Sequence, residues 1–91
     1  MESILVLEDD QVFRVRLARA FRERGLAATE ASNLSEMQTE LNNNKFNYAV
    51  IDLKLGVESG LEALRLLKDS QPSCKALILT GFGTISAAVS A

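Results

Sequence analysis

The sequence lacks histidine and tryptophan, and it contains one cysteine and one proline among its 91 residues. Without an imidazole, the chain has neither the commonest general base nor the commonest metal ligand of proteins. The lone Cys74 cannot form a disulfide within the chain, and a single cysteine is typical of a reducing compartment. These absences exclude histidine-based acid–base catalysis, histidine nucleophiles, histidine metal ligands and an internal disulfide.

Excess positive charge and long apolar runs are also absent. The net charge is −2, so the chain has no overall attraction for nucleic acid, and we expect no direct nucleic-acid contact. No apolar run approaches the roughly 18 residues of a membrane span, and the start Met1-Glu2-Ser3 is unlike a signal peptide. With 47% apolar and 24% charged residues, the sequence predicts one cytoplasmic globular domain without membrane contact.

Short apolar runs predict the strands of a sheet. Unbroken runs without polar alternation are typical of strands that are buried on both faces, as in a parallel sheet. A weaker, alanine-rich run predicts an edge strand. The buried strands are predicted at residues 4–7, 48–51 and 76–79, and the edge strand at residues 26–30.

Helical periodicity separates these strands. Asp10 is predicted to cap the first helix, and Gly25 to end it. Asn33 or Ser35 caps the second helix, and a loop over residues 53–59 precedes the third. The apolar faces of these helices are predicted to carry Phe13, Leu17, Ala20, Phe21, Leu34, Met37, Leu41, Leu61, Ala63, Leu64 and Leu67. A solvated helix face, with a partner surface as the alternative, is predicted for Arg14, Arg16, Arg19, Arg22 and Arg24.

The end of the chain predicts the start of a fourth helix over residues 84–91, capped by Thr84. Strands that alternate with helices predict an α/β domain, in which right-handed crossovers build a doubly wound parallel sheet covered on both faces. A fifth strand with its helix would need roughly 25–30 further residues.

Polar residues follow three of the predicted strands where each strand ends. Glu8-Asp9-Asp10 follow the first strand, Asp52 follows the third and Thr80 follows the fourth. In an open α/β sheet, these ends meet at the crevice where ligands bind. Each residue alone has a structural explanation, such as a helix cap for Asp10, but their joint placement favours a site.

The residue types at these strand ends favour a hard cation. Clustered carboxylates repel one another and stay ionised only beside a positive charge. Without histidine or thiolate ligands, they suit Mg²⁺. A cation beside a carboxylate favours attack of that carboxylate on phosphorus. We expect the hydroxyl of Thr80 to donate a hydrogen bond to the phosphoryl oxygens.

These segments resemble the receiver domain of two-component response regulators. The resemblance rests on residues 4–10, on residues 50–55 with Gly60-Leu61, and on residues 77–81. The sequences of residues 52–55 and 79–83 resemble those of the proteobacterial redox and photosynthesis regulators, which carry a C-terminal helix-turn-helix domain. The resemblance implies a flavodoxin-like sheet of order 2-1-3-4. It also implies that residues 1–91 are the N-terminal part of a receiver domain, with the fifth strand and last helix absent.

The resemblance also implies roles for individual residues. Asp52 matches the phosphoacceptor, which takes a phosphoryl group from a sensor histidine kinase. Asp9 matches the direct Mg²⁺ ligand, and Glu8 matches an acid that acts through water. Lys54 matches a residue whose backbone carbonyl binds the metal, and Thr80 matches the switch hydroxyl. The implied function is a phosphorylation-dependent switch that controls an output domain, which in turn binds DNA and regulates transcription. The receiver is then a signalling module and not a turnover enzyme.

The sequence departs from the family pattern in several places. Glu8 replaces a commoner Asp, Gly56 replaces a common Pro, and Ser59 replaces a common Asp. The lysine of the fifth strand would lie beyond residue 91, so we expect weak phosphorylation of this chain. We also expect the fourth strand to be an open sheet edge, which invites pairing. A dimer is then expected through that edge or through the face of the fourth helix.

Two other functions are consistent with parts of the pattern. The first is a receiver-like interaction scaffold without phosphotransfer, which the absent lysine favours. The second is a Mg²⁺-dependent phosphohydrolase of the haloacid dehalogenase type, in which an Asp nucleophile also follows an apolar strand. Such enzymes carry a second Asp two residues later, where this chain has Lys54. We expect Cys74, which precedes the fourth strand, to be inert.

Overall fold

A computed structural model describes residues 1–52, 57–79 and 85–88, and strands alternate with helices as far as the fourth strand. Each predicted strand is present, and no end of a strand differs from its predicted position by more than one residue. The elements are β1 (Ser3–Leu7), α1 (Gln11–Glu23), β2 (Ala27–Ala31), α2 (Leu34–Asn43), β3 (Tyr48–Asp52), α3 (Val57–Ser70), β4 (Lys75–Leu79) and β5 (Ile85–Ala88).

The sheet has the order β2-β1-β3-β4-β5, and β1 to β4 are parallel. This arrangement confirms the predicted flavodoxin-like order 2-1-3-4. Leu7 of β1 is paired with Ile51 of β3, so the next residue of each strand, Glu8 and Asp52, follows at the same edge. The register therefore places both acids at the carboxyl end of the sheet.

The prediction of a helix over residues 84–91 is wrong for residues 85–88, which form β5. This strand pairs antiparallel with β4, with Leu79 opposite Ile85 and Ala76 opposite Ala88. The outer edge of β4 presents backbone N–H and C=O groups that need partners, and β5 supplies them. A helix of about two turns has little stability of its own, so this long-range pairing overrides local propensity.

The same strand corrects the prediction of an open edge. Since β5 covers β4 in the sheet, a dimer through that edge has no structural basis. The fourth-helix face is likewise absent over residues 85–88.

The third helix begins earlier than predicted, at Val57 instead of after residue 59. Its buried face carries Gly60, Ala63 and Leu67, and Leu61 is 55% exposed although it was expected to pack. On α1, Ala20 is also exposed, whereas Phe21 packs on the sheet. Both errors have one cause: adjacent helix residues point about 100° apart, so the neighbour of a buried residue easily leaves the packed face.

The core lies on both faces of the sheet. One face buries Leu5 and Leu7 of β1 with apolar residues of α2 and α3, among them Met37 and Leu67. The opposite face packs Ile4 and the other strand residues of its cluster against Phe13, Leu17 and Phe21 of α1. This two-sided burial explains why the strands are continuous apolar runs.

The predicted caps of the first two helices are confirmed. Asp10 Oδ1 accepts hydrogen bonds from the backbone N–H of Val12 at 3.0 Å and Phe13 at 3.2 Å. Asn33 Oδ1 accepts from the backbone N–H of Glu36 at 2.8 Å. Gly25 follows α1 with φ of 89°, a left-handed conformation that glycine adopts without strain. The cap at Asp10 fixes where α1 begins and so orients the β1–α1 turn.

Among the described helices, none has the length and apolar character that would let it cross a membrane.

Candidate functional site

Three of the predicted site residues meet at the carboxyl end of the sheet. Glu8 and Asp9 follow β1, and Asp52 ends β3. Each offers a carboxylate oxygen, and these oxygens lie within 4.8 Å of one another. The parallel pairing of β1 with β3 brings together acids that are far apart in the sequence. The other two predicted site residues, Lys54 and Thr80, lie outside the described residues.

Burial differs sharply among the three acids. The side chains of Glu8 and Asp52 are completely buried, and they are the only buried charged residues in the described part of the chain. Asp9 is exposed. The site therefore has two acids inside the fold and one acid at its surface.

The environment of Glu8 opposes its ionisation. Burial, and after it the neighbouring carboxyl groups of Asp52 and Asp9, raises the pKa of Glu8 from 4.5 to about 8. The backbone N–H of Asp10 donates to Glu8 Oε2 at 3.2 Å and acts in the opposite direction, but it is outweighed. Without a cation, Glu8 is therefore mostly protonated at neutral pH.

The donor set fits a hard divalent cation. All three groups are carboxylates, without a nitrogen or sulfur ligand in the cluster, and Mg²⁺ takes few protein ligands and keeps several waters. Glu8 Oε1 is buried, and no N–H or O–H donor of the described residues contacts it. A cation or an ordered water would satisfy this oxygen, and a cation would also displace the proton that Glu8 otherwise holds.

Arg14 contacts the site in a way that the sequence analysis missed. It was predicted on a solvated helix face, but its side chain is only 15% exposed. Arg14 Nη1 donates to the backbone carbonyl of Glu8 at 3.0 Å, and Nε donates to Glu30 Oε1 at 3.0 Å. No local signal identifies this role, because Glu30 lies on β2, sixteen residues further along the chain.

Cys74 is buried, and this burial raises the pKa of its thiol. A thiol with a raised pKa forms little thiolate at neutral pH and is a poor nucleophile. This environment supports the expectation that Cys74 is inert.

The arrangement is suited to one kind of chemistry. A cation among these carboxylates would neutralise their charge and that of an incoming phosphoryl group. A carboxylate oxygen held in that field is a competent nucleophile for phosphorus. When two or more of its three carboxylates are ionised, the cluster is negatively charged. It would then repel a phosphoryl group in the absence of a cation.

Comparisons with known proteins agree with this chemistry. Residues 4–91 match the model of the response regulator receiver domain family. The chain is 39% identical over 89 residues to the photosynthetic apparatus regulatory protein RegA of Rhodobacter capsulatus, covering 98% of this chain and 48% of RegA. It is 37% identical over 90 residues to the acid tolerance regulatory protein ActR of Sinorhizobium medicae, covering 99% of this chain and 46% of ActR. The chain thus spans about half the length of these curated relatives.

Solved structures share the fold. A response regulator from Burkholderia pseudomallei, crystallised with a phosphorylated aspartic acid, a calcium ion and citrate, is 38% identical with a TM-score of 0.82, over 89% of this chain and 48% of that one. The response regulator TrrA from Thermotoga maritima, in complex with Mg²⁺ and BeF, is 25% identical with a TM-score of 0.78, over 88% of this chain and 70% of that one.

Proposed function

Because the chain belongs to the response regulator receiver domain family, we propose that it is a phosphorylation-dependent switch whose phosphoacceptor is Asp52. The observation that carries the proposal is the meeting of the Glu8, Asp9 and Asp52 carboxylates within 4.8 Å. The family match and the missing second Asp favour this function over that of a phosphohydrolase.

The metal ion of the proposal is Mg²⁺. Asp9 and Asp52 would hold it directly, Glu8 would hold it through water, and the backbone carbonyl of Lys54 would complete the protein ligands. Bound Mg²⁺ supplies positive charge against the carboxylates and the phosphoryl oxygens. Of these residues, the described site contains the three acids, and their oxygen-only donor set supports the choice of Mg²⁺.

The phosphoryl transfer is a single displacement at phosphorus. A carboxylate oxygen of Asp52 forms the new P–O bond, and the P–N bond to the histidine of a sensor kinase breaks. The released imidazole takes up a proton from water. The other two acids take no part in bond formation, and the hydroxyl of Thr80 donates a hydrogen bond to the bound phosphoryl group. This added charge biases a two-state equilibrium of the domain.

The signal would pass to an output domain in the same protein. The chain spans 48% of RegA and 46% of ActR, both regulatory proteins by name. We place a DNA-binding domain for transcription regulation in the corresponding remainder of this protein, and the protein in the cytoplasm. The receiver itself acts as a signalling module without multiple turnover, so its partners are the kinase and the output domain.

Phosphorylation by a small donor tests the proposal. The chain is incubated with acetyl phosphate and Mg²⁺, and its intact mass is followed. We expect one base-labile phosphoryl adduct that requires Mg²⁺ and is absent from Asp52→Asn. The control is Asp10→Asn, which changes a neighbouring acid outside the cluster and keeps a good helix cap. This control should be labelled like the wild type.

Two results would contradict the proposal. An adduct that persists in Asp52→Asn would place the acceptor elsewhere. A chain that is labelled neither by acetyl phosphate nor by a phosphorylated sensor kinase would instead support the interaction scaffold.

A further inference from the structure

Arg14 makes two directed contacts from the first turn of α1. Its backbone N–H donates to the backbone carbonyl of Asp10 at 2.8 Å, which fixes the residue in the helix directly after the site. Its guanidinium then spans two acceptors, the carbonyl of Glu8 and the carboxylate of Glu30, each at 3.0 Å. The side chain therefore bridges the β1–α1 turn and β2.

The backbone of Glu8 is held on both of its sides. Its N–H donates to the carbonyl of Ala31 on β2 at 3.0 Å, and its own carbonyl accepts from Arg14. That carbonyl belongs to the peptide group that joins Glu8 to Asp9. Rotation of this peptide would change the backbone angles of both acids together, so the bond from Arg14 fixes the direction in which each acidic side chain leaves the turn.

The geometry requires a guanidinium. Nε and Nη1 of one planar group point at two acceptors at once, which the single ammonium of lysine does not reproduce with a fixed orientation. The carboxylate of Glu30, on β2, forms an ion pair with the guanidinium of Arg14. The guanidinium also donates to the backbone carbonyl of Glu8 and not to its carboxylate. The guanidinium of Arg14 therefore contacts the backbone at the acidic cluster and not the Glu8 carboxylate, which a cation would bind.

We propose that Arg14, oriented by Glu30, is a positioning residue that holds Glu8 and Asp9 in the geometry for binding Mg²⁺. This inference rests on the proposed function, because it assigns Arg14 a role in the same metal site. Groups that orient metal ligands from outside commonly affect metal affinity about 10–100-fold.

The alternative is that Arg14 only ties α1 to β2. Arg22 offers a matched control for that role, because it lies on the same helix and contacts the same Glu30, at 3.9 Å. It also donates to a backbone carbonyl of β2, that of Ala28, at 2.9 Å, and neither contact involves the β1–α1 turn. Arg14→Met and Arg22→Met therefore remove similar helix–strand contacts, and only the first releases Glu8.

The test is a Mg²⁺ titration of each folded variant, in which binding is monitored through the NMR amide signals of Asp9 and Asp10. We expect Arg14→Met to weaken Mg²⁺ binding about tenfold. Arg22→Met should change it less than about twofold, because an exposed ion pair contributes little. In acetyl phosphate reactions, Arg14→Met should raise the half-saturating Mg²⁺ concentration by the same factor and leave the rate at saturating Mg²⁺ nearly unchanged. A purely structural role would not produce this split.

Arg14→Lys keeps the charge and the aliphatic stem, so it decides the question if Arg14→Met does not fold. We expect it to bind Mg²⁺ more weakly than the wild type, since one ammonium cannot fix both acceptors. Equal Mg²⁺ affinities of the wild type, Arg14→Lys and Arg22→Met would overturn the positioning role and leave the proposed function intact. A wild-type chain without Mg²⁺ binding would overturn the proposed function together with this inference.

Discussion

Glu8 and Asp52 lie side by side at the carboxyl ends of neighbouring parallel strands, where both carboxyl groups are completely buried. Their strands are aligned through the pair Leu7 and Ile51, so this proximity is a consequence of sheet register. Burial and the neighbouring carboxyl group of Asp52 oppose the ionisation of Glu8, and a proton or a cation on Glu8 relieves this cost. The response of the protein to pH and to Mg²⁺ should follow from this relationship.

The first prediction concerns pH in the absence of divalent cations. The pKa of Glu8 is raised from 4.5 to about 8, mainly by burial, so the folded chain holds a proton that the unfolded chain releases. The contribution of Glu8 to the free energy of unfolding is therefore complete below pH 4.5 and is lost as the pH rises to about 8. Urea unfolding in EDTA, measured across this range, should show a steeper loss of stability for the wild type than for Glu8→Gln. If the free energies of unfolding of the two proteins changed in parallel with pH, this prediction would be contradicted.

The second prediction concerns stabilisation by Mg²⁺. The ion competes with the proton on Glu8, so it should stabilise the fold more at pH 8.5 than at pH 6. At a free concentration of 100 times the Kd, the gain should be about 2.7 kcal/mol. Thermal unfolding with and without MgCl₂ measures it.

Two variants control the Mg²⁺ effect. Asp9→Asn removes a ligand from the cluster and should lose most of the stabilisation, whereas Asp10→Asn lies outside the cluster and should retain it. Stabilisation of equal size in both variants would mean that Mg²⁺ acts elsewhere.

The third prediction concerns Gln71, which holds the opposite end of the sheet. Its Oε1 accepts from the backbone N–H of Phe46 at 2.7 Å, and its Nε2 donates to the carbonyls of Leu41 at 3.2 Å and Asn44 at 2.6 Å. Gln71→Ala should lower the free energy of unfolding by about 2–3 kcal/mol, since each hydrogen bond contributes about 0.5–1.5 kcal/mol.

The matched control for Gln71 is Gln38, an exposed glutamine whose side chain makes one long contact, to Asn42 at 3.5 Å. Gln38→Ala should change stability by less than about 0.5 kcal/mol. Urea unfolding of both variants measures the difference, and phosphorylation of the folded Gln71→Ala chain should be normal. Equal losses in the two variants would show that the three bonds of Gln71 contribute little.

The fourth prediction concerns β5. Its antiparallel register pairs Leu77 with Ala87 and Ile78 with Ser86. NMR spectra should therefore show cross-strand nuclear Overhauser effects between these residues. A series of strong sequential amide–amide effects over residues 85–88 would indicate a helix and contradict the strand.

These results show which features local sequence determines. The buried strands and the acids at their ends were predictable, because strands covered on both faces are continuous apolar runs and their carboxyl ends share one edge. The state of residues 85–88 was not, because Ile-Ser-Ala-Ala has no strong local preference and the free edge of β4 decides it. The role of Arg14 was hidden for a similar reason, since it depends on the partner Glu30 on another strand.

The central claim is that Asp52 is the Mg²⁺-dependent phosphoacceptor, and mapping the modified residue tests it most directly. After reaction with acetyl phosphate, borohydride reduces an aspartyl phosphate to homoserine, which tandem mass spectrometry locates in the digested chain. We predict homoserine at position 52 in samples that contained Mg²⁺, and unmodified Asp52 in samples with EDTA. Reduction at another acid such as Asp9, or equal labelling of Asp52 with and without Mg²⁺, would contradict the account.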